Sequence, residues 1–62
     1  MRGMVLNKLA DHMGDRIRVE DLASKTGLSA STILKAKRGG VVTLGTATLI
    51  AQGMKMKKED LA

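Results

Sequence analysis

Residues 27–40 read GLSASTILKAKRGG. Within them three basic side chains, Lys35, Lys37 and Arg38, follow a run of small polar ones. A stretch made only to pack would be greasier, and one made only for solubility would mix its charges. On a helical wheel with Ile33 on the buried side, Ser31, Lys35 and Arg38 point the opposite way, and Ala30 joins them at the N-terminal end. Ammonium, guanidinium and hydroxyl groups on one face are the chemistry of polyanion binding.

Other chemistries lack their residues. No histidine pairs with a nucleophile, no ligand cluster suits a metal, and no Gly-rich loop runs into Lys and Ser or Thr. The carboxylate pairs Glu20-Asp21 and Glu59-Asp60 are neighbours at expected helix starts, where the helix dipole accounts for them. His12, alone in the last turn of a helix, reads as a solvated surface residue. The residues therefore predict a chain that is not an enzyme, needs no cofactor or metal, and has no evident small-molecule substrate.

Composition narrows the partner. Eleven Lys and Arg against six Asp and Glu give a net charge of +5 on 62 residues, a balance that attracts nucleic acid or simply keeps a small protein soluble. There is no Phe, Tyr or Trp, whereas proteins that hold single strands or RNA loops stack bases on such rings. Duplex DNA is the favoured polyanion. A domain this short buries only about 60% of its unfolded surface, and it has no cysteine for a disulfide. Stability is expected from tight helix packing, a partner subunit, or both. No apolar run approaches the roughly 20 residues of a membrane span, and no signal-peptide core is present, so a cytoplasmic location, near the nucleoid of a bacterium or phage-infected host, is expected.

One domain, residues 1–62, must position these side chains. The spacing of Val5, Leu6, Leu9 and Met13 predicts a first helix over about 3–13, stopped by Gly14. A second is expected at 19–26, with Glu20 and Asp21 in its first turn, Leu22 and Ala23 inward, and Gly27 at its end. Ser29 is a strong N-cap candidate for a third at 30–37, which stops at Gly39-Gly40. Two short helices around a glycine turn make a helix-turn-helix. Counting Val19 as the first position, Ala23 is fifth, where a small side chain lets the helices cross closely. Gly27 is ninth, where φ tends to be positive, and Ile33 is fifteenth, anchoring the third helix. Residues 41–50, VVTLGTATLI, read either as a hairpin turning at Gly45-Thr46 or as a helix capped by Thr43, with Leu44, Ala47, Ile50, Ala51 and Met54 on one face. KKEDL, 57–61, reads as a last helical turn.

IRVEDLASKTGLSASTI resembles the two helices and Gly-Leu-Ser turn of helix-turn-helix domains of the phage Cro and repressor type, also called the xenobiotic-response-element type. KRGG is similar to that family's exit from the recognition helix, and TLGTATLIAQGMKMKKEDLA to its fourth and fifth helices, without a gap. The resemblance runs from about Leu6 to the end and favours helix over hairpin at 44–54, with a fifth helix at 58–61. It implies an all-α bundle of about five short helices that binds duplex DNA as a homodimer on an inverted repeat. Val19 departs from the family's frequent Gln, and small Ala36 from a usually large apolar residue. Gly45 and Gly53 each weaken the fourth helix by roughly 1 kcal/mol relative to alanine.

By this resemblance Ala30, Ser31 and Lys35 occupy base-reading positions. Lys35 can donate to guanine O6 and N7, Ser31 can serve either partner, and Ala30 can meet a thymine methyl. Lys37 and Arg38 suit phosphates, as do Lys25 and Thr32, and Leu34 suits either packing or a thymine methyl. Residues 35–38 also suit a plain solvated helix end, and Arg2 and Lys8 read as ordinary surface charges. A dimer seam is expected around Met54, Met56 and Leu61. The expected function is a small sequence-specific transcriptional repressor. The rivals are an antitoxin-like or accessory protein-interaction module and an architectural DNA binder.

Overall fold

The computed structural model describes residues 2–62. Its elements run β1 (Gly3–Val5), α1 (Leu9–Met13), α2 (Val19–Thr26), α3 (Ala30–Lys37), β2 (Val41–Thr43), α4 (Leu44–Gly53) and α5 (Lys58–Leu61). The fold is mostly helical, with a small antiparallel sheet that pairs Gly3 with Thr43, Met4 with Val42 and Val5 with Val41.

The helix-turn-helix forms on the expected residues. Gly27 takes φ 76° in the left-handed region, and its N–H donates to the Ala23 carbonyl at 2.9 Å. Thr26 stitches the turn to α2: its hydroxyl donates to the Leu22 carbonyl at 2.8 Å and accepts from the Leu28 N–H at 3.3 Å. Ser29 then caps α3, its Oγ accepting from the Thr32 N–H at 3.3 Å. These bonds satisfy backbone groups that short helices leave free at their ends.

Two expectations are corrected. A first helix over 3–13 is not formed: α1 covers only Leu9–Met13, and residues 3–5 are a strand. Leu9 and Met13 are buried on α1 and Leu6 is buried ahead of it, whereas Val5, expected on the same stripe, is half-buried in the strand. Met4 pairs with Val42, whose side chain is buried in the core, so a strand partner wins the first turn from a helix that would be marginal alone. The bundle is consequently not purely all-α.

Residues 41–50 divide between the two readings. Val41–Thr43 is a strand, but its partner is β1 rather than residues beyond Gly45, and no turn forms at Gly45-Thr46. From Leu44 the chain is helical, because Thr43 caps it: Thr43 Oγ1 accepts from the Thr46 N–H at 3.2 Å. Ala47, Ile50 and Ala51 are buried as expected, while Leu44 is 36% exposed. Met54 is the C-cap of α4, one residue past the helix.

The core is Leu6, Leu9, Met13, Leu22, Ile33, Ala36, Val42, Ala47, Ile50, Ala51 and Leu61. It closes within one copy of the chain, whose radius of gyration is 9.9 Å, against roughly 10.6 Å for a typical folded chain of this length. Close backbone approach makes this possible. A Cβ on Gly53 would lie 2.8 Å from Thr26 Cγ2 and 2.9 Å from Leu22 Cδ1, so α4 crosses α2 where it has no side chain. At the far end of the chain, α5 turns back on α1 through a 2.7 Å bond from the Lys8 N–H to the Leu61 carbonyl. Glu59, in the first turn of α5, has its carboxyl held below the usual range, first by a backbone hydrogen bond and then by the Lys58 charge 3.5 Å away.

Candidate nucleic-acid interface

α3 is held from behind and open in front. Ile33 and Ala36 have no exposed surface and fix the helix to the core. Ala30, Ser31, Lys35, Lys37 and Arg38 are all exposed. Leu34 is 37% exposed, which places it at the margin between packing and solvent.

The helix ends in a double-bonded reversal. Gly39 has φ 87°, its N–H donates to the Ala36 carbonyl at 3.1 Å, and the Gly40 N–H donates to the Lys35 carbonyl at 2.8 Å. This pair of bonds is the Schellman arrangement, and it requires a residue that tolerates the left-handed region. Gly40 is needed for a different reason. A Cβ there would lie 2.7 Å from Lys35 Cγ and 2.9 Å from the Lys35 carbonyl oxygen.

Ser31, Leu34, Lys35, Arg38, Gly39 and Gly40 line one open groove of about 440 Å³. Two cations, one hydroxyl and an apolar floor face it, and no carboxylate does. Among the described residues the ion pair is Lys58 with Glu59, so Lys35, Lys37 and Arg38 have no acidic partner. Unpaired cations beside an apolar floor can bind phosphates and base edges, because no internal ion pair has to be broken first.

The residues singled out in the sequence are not all brought together. Ser31, Lys35 and Arg38 share the groove with Leu34. Ser31 Oγ is 3.2 Å from Ser29 Oγ, and Thr32 Oγ1 is 2.8 Å from the same cap oxygen. Thr32 is half-buried, so its hydroxyl serves the cap first. Lys37 stands exposed on the last turn. Lys25 lies apart, lining a separate concavity with Thr26, Leu49, Gln52, Gly53 and Lys55, and is not grouped with the α3 cations.

The expected seam is corrected at one residue. Leu61 has no exposed surface and belongs to the chain's own core, so it has nothing to offer a second copy. Met54 and Met56 are half-buried and pack against that core. What the sequence reading missed is the placement of Gly40 against Lys35, and of the β1–β2 ribbon alongside it. The three β-branched residues VVT after the glycine pair were the available signal for the ribbon.

Among the described residues, no three His, Cys, Asp or Glu side chains converge as metal ligands, and no helix is long and apolar enough to cross a membrane. Comparison of the chain with protein-family models and with curated protein sequences finds no match.

Proposed function

We infer that the protein is a sequence-specific duplex-DNA-binding transcriptional regulator, a small repressor of phage or bacterial type. In this reading α3 enters the major groove with Ala30 and Ser31 leading. Lys35 reads a guanine edge, and Lys37 and Arg38 neutralise flanking phosphates. The observation that carries the reading is the groove itself: Ser31, Lys35 and Arg38 converge on an open surface free of acids, on a helix whose other face is locked by Ile33 and Ala36. A recognition helix of eight residues, Ala30–Lys37, spans few base pairs, so two copies acting on an inverted repeat, about one helical turn of DNA apart, would supply the specificity.

Selection from random duplex DNA tests this, run in parallel with Lys35→Ala. Enrichment of an inverted repeat, relaxed or lost in the variant, supports the regulator. Binding without enrichment, steep in salt, points to architectural DNA binding instead.

The exposed Leu34 on the same groove favours a second reading, a protein-interaction module of antitoxin-like or accessory type. Lys35→Glu separates the two. It abolishes DNA binding if the regulator reading holds and spares partner binding if the module reading holds.

A further inference from the structure

Lys35 borders two grooves. Besides the one on α3, it lines a second of about 320 Å³ together with Arg2, Gly3, Val41, Val42 and Thr43. The two grooves adjoin at Lys35, and neither is lined by a carboxylate. Arg2 lines the ribbon groove, Arg38 the α3 groove, and Lys35 both.

The ribbon fixes where Arg2 lies. Pairing of Gly3 with Thr43 sets the start of β1 beside the end of β2, and Arg2 immediately precedes it. Met4 and Val42 share the face turned to the core, which leaves Gly3, Val5, Val41 and Thr43 on the other face. That outer face carries no charge. Gly3 has no side chain, and a Cβ there would lie 2.6 Å from Val41 Cγ1 and 2.9 Å from the Val42 carbonyl oxygen. Val41 is 58% exposed. A ligand backbone lying in this groove would meet both Arg2 and Lys35.

We propose that the β1–β2 ribbon is a second DNA-contacting element, in which Arg2 grips the phosphate backbone beside the groove that α3 enters. This rests on the regulator reading and adds to it an anchoring contact outside the helix-turn-helix. The occupant is the sugar-phosphate strand of a duplex: apart from Arg2 the ribbon's outer face offers apolar side chains and the Thr43 hydroxyl, which is engaged with Thr46 Oγ1 at 2.9 Å, and phosphate contacts position a protein without a set of base-edge donors.

The test uses the full chain, its selected operator and a scrambled duplex, each titrated over a salt series. Arg2→Ala weakens binding to both duplexes by the same factor and lowers the slope of log affinity against log salt by about 0.9, the value for one phosphate contact. Arg2→Lys restores the slope. Lys8→Ala removes an exposed cation that lines neither groove and leaves affinity and slope unchanged. Arg2 is exposed, so thermal melting of the variant stays at the parent value. An unchanged slope and affinity in Arg2→Ala, in a protein that still enriches its operator, overturns the ribbon contact and leaves the regulator intact. A change in preferred sequence instead of slope overturns the phosphate role. Failure of the parent protein to bind any duplex removes both readings together.

Discussion

Gly40 lies against Lys35: its N–H donates to the Lys35 carbonyl at 2.8 Å, and a Cβ on it would stand 2.7 Å from Lys35 Cγ. A glycine of the reversal that ends α3 thus also lies beside the side chain proposed to read a base. Backbone and side chain of Lys35 are constrained from the same direction.

Gly40→Ala is expected to destabilise the protein by about 1–3 kcal/mol, the usual cost of forcing an extra methyl into a packed site, and to weaken DNA binding beyond what the stability loss explains. Gly39→Ala meets open space but keeps φ 87°. It is expected to cost roughly 1–2 kcal/mol through backbone strain alone, with DNA affinity of the folded fraction unchanged. Urea melts paired with binding titrations check the contrast.

The two glycines of α4 are expected to respond with opposite sign. Gly45 has nothing within 4 Å of an added Cβ, so Gly45→Ala stabilises by about 0.5–1 kcal/mol. Gly53→Ala gains the same propensity but drives a methyl to 2.8 Å from Thr26 Cγ2 and 2.9 Å from Leu22 Cδ1. Neither neighbour yields freely: the Thr26 hydroxyl is held on the Leu22 carbonyl, and Leu22 is fully buried. A net loss of about 1 kcal/mol is expected, read as a lower denaturation midpoint at unchanged m-value.

Leu61→Ala is expected to cost about 2–5 kcal/mol, with the same loss at every protein concentration, because Leu61 packs in the core of a single chain. A loss that vanished on raising concentration would return Leu61 to an interface between copies. Polar substitutions at Met54 or Met56, which keep partial exposure, are expected to shift the dimerisation equilibrium if the seam lies there. Sedimentation at several loading concentrations measures both.

Lys35→Ala and Lys37→Ala are expected to differ in kind. Loss of Lys35 relaxes discrimination at one base pair by about 1–3 kcal/mol. Loss of Lys37 weakens all duplexes alike and lowers the salt slope by about 0.9. Binding to a panel of single-base operator variants distinguishes the two patterns.

Much of this was legible in the sequence because the signals were local. Gly27, Ser29 and Thr43 each act on backbone within four residues of themselves, and the turn, the caps and the bounds of α2 and α3 followed from them. The first strand was not legible. Val5 fits the helical stripe, whereas Met4 falls opposite it and turns inward with Leu6 only on a strand's two-residue alternation; the partner that decides, Val41–Thr43, lies far along the chain. For the site, the wheel around Ile33 selected Ser31, Lys35 and Arg38 correctly as one face. It could not show that Lys25 lies elsewhere, that Leu61 is spent in the core, or that Arg2 borders the same surface, since each depends on how separate elements pack.

The ribbon also bears on the order in which the molecule assembles. Joining β1 to β2 closes a loop from Leu6 to Gly40, and the entropic cost rises by about 0.6 kcal/mol with each doubling of loop length. The α2–α3 turn closes over a few residues only. The helix-turn-helix is therefore expected early in folding and the three-residue ribbon late. In the native state the ribbon's amides should exchange with solvent before those of Leu22 or Ile33, so the N-terminal edge would open and close on an α3 already in place.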